Sequence, residues 1–138
     1  MWVRCKDTST NKYFYYNEET KERSETKPKE GLRIYHILIK HRGSRKPVDR
    51  SENEALEKAL EIYEDCKKKL DQKNFREYFK ERALNESECS SSKRGGDLGF
   101  VVKNEMVKEF EKACFLLKRG SIVGPVKTES GYHIIYRR

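Results

Sequence analysis

A capping-box motif followed by apolar residues at helical spacing predicts the longest element of this chain, an α-helix. Ser51 and Glu54 occupy the N-cap and third helical positions, where each side chain accepts a hydrogen bond from the other residue's free backbone N–H. Apolar residues then recur every three or four positions and predict an amphipathic helix over 52–71: Leu56, Ala59, Leu60, Tyr63, Cys66 and Leu70. Because the apolar face of such a helix must be buried, a second layer has to cover it.

The second layer is predicted to be one small sheet. Apolar and β-branched runs predict strands over 33–39, 98–102 and 132–136, and Gly124-Pro125 opens a further strand ahead of a turn at 130–131. Asn74 and Glu77 repeat the capping pattern before a second helix, and Gly120 ends a third. The order of these elements predicts an α+β domain in which helices cover a small antiparallel sheet.

The first 28 residues predict a separate small all-β module. The aromatic run at 12–16 has high strand propensity and is followed by a turn at 17–20, so two or three short strands can form. So few residues bury little surface, and the module is marginal unless it docks elsewhere. We therefore expect a domain over 1–28, a short linker over 29–32 and a second domain over 33–138.

The excess of basic residues is concentrated in one short segment. The 138 residues include 31 Lys or Arg and 23 Asp or Glu, a net charge of +8. Residues 33–50 hold six basic residues and one acidic residue, so +5 of this charge lies within eighteen positions. A local patch suits one specific anion, whereas a diffuse field suits a polyanion. No apolar run approaches the roughly 18 residues that cross a membrane, so we expect no membrane partner.

The cysteines are predicted to be reduced thiols. No two of them stand two to four residues apart, so their spacing matches no zinc pattern: Cys5, Cys66, Cys89 and Cys114. With no secretion signal, a disulfide framework is not expected. We expect a protein of the nucleus and cytoplasm, a monomer, that uses no metal or other cofactor.

Six motifs in this order resemble the parvulin peptidyl-prolyl isomerases over residues 32–138. They are YHILIKH at 35–41, CSSSK at 89–93, GDLG at 96–99, Phe110, GPV at 124–126 and SGYHII at 130–135. The first segment is similar to a WW domain in Trp2, the run 14–17, Thr20 and Pro28. The resemblance implies an FKBP-like α+β fold after a three-stranded WW-like module. This arrangement resembles the phospho-specific eukaryotic subclass.

The resemblance implies a catalytic group around Cys89. It places this thiol beside the rotating carbonyl, above a hydrogen-bond network of His36, His133 and Thr128, with Ser130 in the same shell. An electrostatic role is favoured over nucleophilic attack, because rotation about an amide needs no covalent step. The alternative for the two histidines is structural, since they can simply orient one another, and Ser130 can equally be a turn residue.

The resemblance also implies two binding regions. Leu98, Met106 and Phe110 line the proline pocket, and the alternative for them is plain core packing. Lys40, Arg45 and Lys46 bind the phosphate of phosphoserine or phosphothreonine before proline, although Lys46 stands where Arg is expected. The alternatives are a solvated basic loop or nucleic-acid phosphate. We rank nucleic acid lower, because the loop lacks interleaved aromatic residues.

The WW-like segment departs from the pattern that binds ligands. Glu25 stands where a second Trp is expected, and Asp7 and Thr8 stand where Ser and Arg usually contact phosphate. Our hypothesis is a WW fold that no longer binds phospho-Pro peptides in the usual way. The linker of about four residues also suggests fixed docking against the second domain.

The leading hypothesis is an isomerase of pSer/pThr-Pro bonds in phosphoproteins. The second is a non-catalytic adaptor that binds phosphoproteins on the same fold, and the third is a DNA-binding parvulin.

Overall fold

The computed structural model describes residues 1–138, whose strands form two separate antiparallel sheets. The strands are β1 (Trp2–Asp7), β2 (Lys12–Asn17), β3 (Arg23–Ser24), β4 (Leu32–Ile39), β5 (Asp97–Val101), β6 (Ile122–Thr128) and β7 (Gly131–Arg137). The helices are α1 (Glu52–Lys68), α2 (Phe75–Glu86) and α3 (Lys108–Leu116), with a short 3-10 helix at Ser90–Arg94. None of the helices combines the length and apolar character that crossing a membrane requires.

The N-terminal sheet has the strand order β1-β2-β3. Asn17, which is buried, accepts hydrogen bonds through its side-chain oxygen from the backbone N–H groups of Glu19 and Thr20, at 2.9 and 3.1 Å. These bonds build the turn that was predicted at 17–20. The Trp2 indole lies opposite Asn17 and donates to the carboxylate of Glu30.

The larger sheet has the order β5-β4-β7-β6 and is covered on both faces. Tyr35, Ile37 and Ile39 of β4 belong to the core beneath α1 and α2. Ile34 belongs to a second core cluster, with Phe110 and other residues of α3. Because successive side chains of a strand alternate between faces, residue 36 also lies on the α3 face.

Helix α1 begins as predicted and buries most of the predicted apolar face, with Leu60 as the exception. Both capping-box bonds are present, from Glu54 N to Ser51 Oγ at 3.1 Å and from Ser51 N to Glu54 Oε1 at 3.4 Å. The helix ends at Lys68, before the predicted residue 71, and Leu60 is 41% exposed. Its fully buried residues are Ala55, Ala59, Ile62 and Cys66.

Two further predictions of element ends are wrong, and one predicted capping bond is absent. Asn74 precedes α2, but its side chain makes no capping hydrogen bond. Helix α3 ends at Leu116, before Gly120. Gly124-Pro125 lies inside β6, at a shift in the pairing with β7, rather than at the strand's start. β6 tolerates a proline because it is an edge strand and the missing N–H is not needed by a neighbour.

Candidate active site

Two buried histidines lie side by side on the α3 face of the sheet. His36 of β4 is opposite Ile135 and His133 of β7 is opposite Leu38, so the histidines are diagonal neighbours on adjacent strands. Their rings stack with centroids 5.2 Å apart, and the two Nδ1 atoms are 3.0 Å apart. Burial, and secondarily the nearby His36, lowers the pKa of His133 to about 3. His133 is therefore neutral at pH 7.

The hairpin between β6 and β7 supplies the next partners of His133. Thr128 is buried, and its Oγ1 lies 2.7 Å from Nε2 of His133. The backbone N–H of Ser130 donates to the same Oγ1 at 3.1 Å. Ser130 thus supports Thr128 through its backbone, which a turn residue in this position can do.

Cys89 follows α2 and precedes the 3-10 helix, next to His36. The pKa of its thiol is lowered to about 6, first by a hydrogen bond from His36 and then by bonds from the side chain and backbone of Ser91, in opposition to burial. Nε2 of His36 is also 3.2 Å from Oγ of Ser91. Burial has the reverse effect on the helical thiols and raises the pKa of Cys66 to about 11. The surroundings of Cys89 therefore favour the thiolate form, unlike those of the two helical thiols.

A glycine allows β5 to approach His36 closely. Gly96 has a φ of +79°, and its carbonyl accepts from the backbone N–H of His36 at 2.9 Å. A Cβ at this position would lie 2.3 Å from the carbonyl oxygen of His36, nearer than atoms can pack. The first glycine of the GDLG motif is therefore needed for contact with the strand that carries the histidine.

The three residues predicted for the proline pocket come together beside the histidines. Phe110 is 3% exposed, and its ring packs edge-on against His36 and His133, with centroids 5.5 and 5.1 Å away. Leu98 and Met106 are partly buried against the same cluster. Phe110 therefore belongs to the core, while Leu98 and Met106 retain accessible surface.

The three predicted phosphate ligands share one cleft with the thiol. The cleft has a volume of about 440 Å³ and is lined by Leu38, Lys40, Arg45, Lys46, Glu88, Cys89, Ser90 and Ser130. Arg45 and Lys46 are exposed, and no acidic group forms an ion pair with either of them or with Lys40. Their charges are thus available to a ligand.

Comparison with known proteins defines the family. A model of the rotamase family, the PPIC-type PPIase domain, matches residues 36–138. The chain belongs to this family, the parvulins. Its activity is peptidyl-prolyl cis-trans isomerisation.

Relatives of this parvulin match over nearly its whole length. The peptidyl-prolyl cis-trans isomerase pin1 of Rhizopus delemar is 38% identical, over 99% of this chain and 95% of the relative. The protein of that name from Schizosaccharomyces pombe is 40% identical, over 95% of this chain and 77% of the relative. The solved structure of the isomerase ESS1 from Candida albicans superposes with a TM-score of 0.62 at 28% identity, over 99% of this chain and 93% of that structure.

Three residues of this parvulin's site were not found from the sequence. Ser91, which is 1% exposed, contacts His36, and only its place in the run CSSSK pointed to it. Glu88 accepts from the backbone N–H of Lys40 at 2.8 Å and from Nη1 of Arg50 at 2.6 Å, and Arg50 also donates to the carbonyl of Lys40 at 2.9 Å. Arg50 and Glu88 thus fix the end of β4, and because they are 38 residues apart no local pattern pairs them.

Hydrogen bonds to buried groups and to the β6–β7 turn hold the loop that carries Arg45 and Lys46 in one conformation. The backbone N–H of Arg45 donates to the carbonyl of Glu129 at 2.7 Å. His41 and Ser44 are buried, and the backbone N–H of His41 donates to Ser44 Oγ at 3.0 Å. The loop is therefore an ordered part of the cleft and not only a solvated basic segment.

Proposed function

We propose that this parvulin isomerises the peptide bond between phosphoserine or phosphothreonine and the following proline. The observation that carries this proposal is the shared cleft, in which unpaired Lys40, Arg45 and Lys46 lie with Cys89 and Ser130. Consecutive Cα atoms are only ~3.8 Å apart, so a phosphorylated residue at the cations brings its own carbonyl, the one bonded to proline, close to the thiol.

The three cations suit a phosphate group by their chemistry. A phosphate carries roughly −1.5 to −2 charges at neutral pH and three acceptor oxygens. The guanidinium of Arg45 can bind two oxygens in a planar fork, whereas Lys40 and Lys46 supply point charges. Glu88 and Arg50 hold the backbone of Lys40, and Glu129 holds that of Arg45.

The hydrogen bonds around Cys89 favour one set of tautomers. Stabilisation of the thiolate by His36 requires a proton on Nε2, which leaves Nδ1 of His36 as an acceptor. The 3.0 Å contact then places the proton of neutral His133 on its Nδ1, and Nε2 of His133 accepts from the hydroxyl of Thr128. We propose that this chain of donors holds a negative sulfur at the base of the cleft.

A thiolate beside the substrate carbonyl lowers the rotational barrier electrostatically. The planar amide places negative charge on its oxygen by resonance, and the barrier of roughly 18–20 kcal/mol is the loss of that resonance. A nearby negative sulfur destabilises the planar form more than the twisted one, because the twisted carbonyl oxygen carries less charge. Leu98 and Met106 would meanwhile hold the proline ring, with the buried Phe110 packed beneath them. Cys89→Ala should therefore slow isomerisation strongly on phosphorylated and unphosphorylated peptides alike.

Matched Ser-Pro and pSer-Pro peptides test whether the three cations bind the phosphate of the substrate. Arg45→Ala should lower kcat/KM on the phosphorylated peptide roughly 10- to 150-fold, because a hydrogen bond to a charged group contributes about 1.5–3 kcal/mol, and should leave the other peptide unchanged. Arg42→Ala is the control, since Arg42 lies in the same loop but is exposed and paired with Asp49 at 2.8 Å. Equal wild-type rates on both peptides would remove phosphate selectivity while leaving the isomerase.

We further propose that the chain divides into a WW-like domain over 1–28, a linker over 29–32 and the isomerase domain over 33–138. The usual peptide face of the first domain is covered by its own side chains. The guanidinium of Arg23 lies 3.9 Å from the ring centroid of Phe14, and Glu25 accepts from Nε of Arg23 at 3.1 Å. An aromatic ring that is already stacked on a paired arginine is not free to grip proline.

Phosphopeptide titration of the full chain tests this covered face. Amide NMR signals of the isomerase cleft should shift, while those of Phe14 and its neighbours should not. Micromolar binding at Phe14 would contradict the proposal that this face is covered.

We also propose that the chain acts in the nucleus and cytoplasm, which agrees with its four unpaired cysteines.

A further inference from the structure

The N-terminal sheet is attached to the isomerase domain through its free edge. Val3 of β1 forms a parallel bridge with Lys103, which follows β5. The backbone N–H of Arg4 donates to the carbonyl of Lys103 at 2.9 Å, and that of Lys103 donates to the carbonyl of Trp2 at 3.4 Å. These bonds join backbone to backbone, so they do not depend on the identity of the side chains.

A partly buried ion pair fixes the same contact from a second direction. Nζ of Lys27 lies 3.0 Å from Oε2 of Glu105, whose side chain is only 12% exposed. The other carboxylate oxygen of Glu105 is buried and has no hydrogen-bond partner. Burial, together with the charge of Glu105, raises the pKa of the Tyr15 phenol. A carboxylate in this position is costly without its cation, so Lys27 determines where Glu105 can lie.

The turn that contains Glu105 leads directly into the proline pocket. Asn104 has a left-handed φ of +67°, and its backbone N–H donates to Oε1 of Glu111 in α3 at 2.5 Å. The next residue after Glu105 is Met106, which packs against the cluster of Phe110. The turn is thus held on one side by the N-terminal sheet and on the other by α3, and Glu105 is bonded directly to Met106.

We propose that Lys27 and Glu105 are positioning residues of the isomerase and that the N-terminal sheet acts as a fixed wall behind the proline pocket. In this role the sheet contributes to catalysis without binding a ligand. The inference rests on the proposed function in one respect, the assignment of Met106 to the pocket. It is independent of the phosphate ligands, because the turn lies on the proline side of the site.

The test uses the full chain with Lys27→Gln and a pair of matched Pro peptides. We expect kcat/KM to fall roughly three- to tenfold, by the same factor with and without phosphate. Lys27→Arg should retain the wild-type rate. The exchanged pair, Lys27→Glu with Glu105→Lys, should recover most of it. Lys29→Gln is the matched control, because Lys29 is exposed, lies two residues away and has no ion-pair partner.

Methionine NMR separates positioning from a loss of stability. The chain has two methionines, so methyl labelling gives one signal from Met1 and one from Met106. The Met106 signal should move in Lys27→Gln, and its response to a proline peptide should weaken. An unchanged Met106 signal and unchanged rates in a variant that only unfolds at lower urea would overturn the proposal.

A pocket variant distinguishes the two ways in which the idea can fail. If Met106→Ala leaves the rates unchanged, the assignment of Met106 to the proline pocket is wrong, and the inference falls with it. If Met106→Ala slows isomerisation while Lys27→Gln does not, the pocket stands and the positioning role is refuted.

Discussion

Alkylation of the cysteines tests the electrostatics of the site most directly. Only the thiolate reacts, so the pH dependence of the reaction measures each thiol's pKa in place. The pKa of Cys89 is lowered to about 6 chiefly by the hydrogen bond from His36. Burial raises the pKa of Cys66 to about 11 and that of Cys114 to about 12. The perturbation is His36→Ala, which removes the principal donor.

The expected magnitudes follow from these pKa values. At pH 7 a thiol of pKa about 6 is about 90% ionised, whereas a thiol at the ordinary value of 9.0 is about 1% ionised. A less basic thiolate is also a weaker nucleophile, with a Brønsted slope of about 0.4–0.5. The net effect of His36→Ala at pH 7 is therefore only about a fourfold slower reaction. The midpoint of the pH profile moves much further and is the decisive quantity.

The assay measures iodoacetamide labelling by mass spectrometry between pH 4.5 and 9.5 in a Cys5→Ser background. Cys89 should show a midpoint near pH 6, and in His36→Ala that midpoint should move toward 9. Cys66 and Cys114 should stay unlabelled in the folded chain. A wild-type midpoint above pH 8, or one that His36→Ala leaves in place, would refute the argument that His36 donates to the sulfur.

Three further predictions concern stability and substrate affinity. Lowering the pH from 7 to 5 should lower the unfolding free energy by about 2 kcal/mol through His133, whose pKa is about 3 in the folded chain. The reason is that the unfolded histidine, with a pKa of about 6.5, takes up a proton that the folded one does not, so stability falls as the pH falls. Urea unfolding of His133→Gln should lack this dependence on pH. Arg50→Met leaves the Glu88 carboxylate facing the cleft without its cation, so KM for the phosphorylated peptide should rise several-fold while the unphosphorylated peptide is unaffected. Phe79→Ala should lower the unfolding free energy by about 3–5 kcal/mol in urea, since this side chain is fully buried; a loss below 1 kcal/mol would contradict its place in the core.

Local signals predicted the elements better than the faces that they bury. The capping box at Ser51 formed as expected because its two bonds join residues three positions apart. The predicted face of α1 is largely confirmed, since Ala59 and Cys66 are buried, but it included the exposed Leu60 and left out the buried Ile62. A spacing of three and four residues fits Leu60 and Ile62 alike. Only packing against the sheet decides which of the two is buried.

At the site, too, local motifs were recognised from the sequence, whereas contacts between distant residues were not. The motifs around His36, Cys89 and His133 were recognised from their order, but the histidines are 97 residues apart and meet only through the register of β4 and β7. Only its place in the run CSSSK pointed to Ser91, and no local pattern paired Arg50 with Glu88.

The sequence by itself determined the element types, the concentration of positive charge over 33–50 and the family motifs, because each of these depends only on residues close together in the sequence. The tertiary structure decided which charges remain unpaired, which thiol has a lowered pKa and where the N-terminal sheet docks. The physical reason is that a pKa, an ion pair and a pocket all depend on desolvation and on partners that only the folded chain brings within hydrogen-bonding distance.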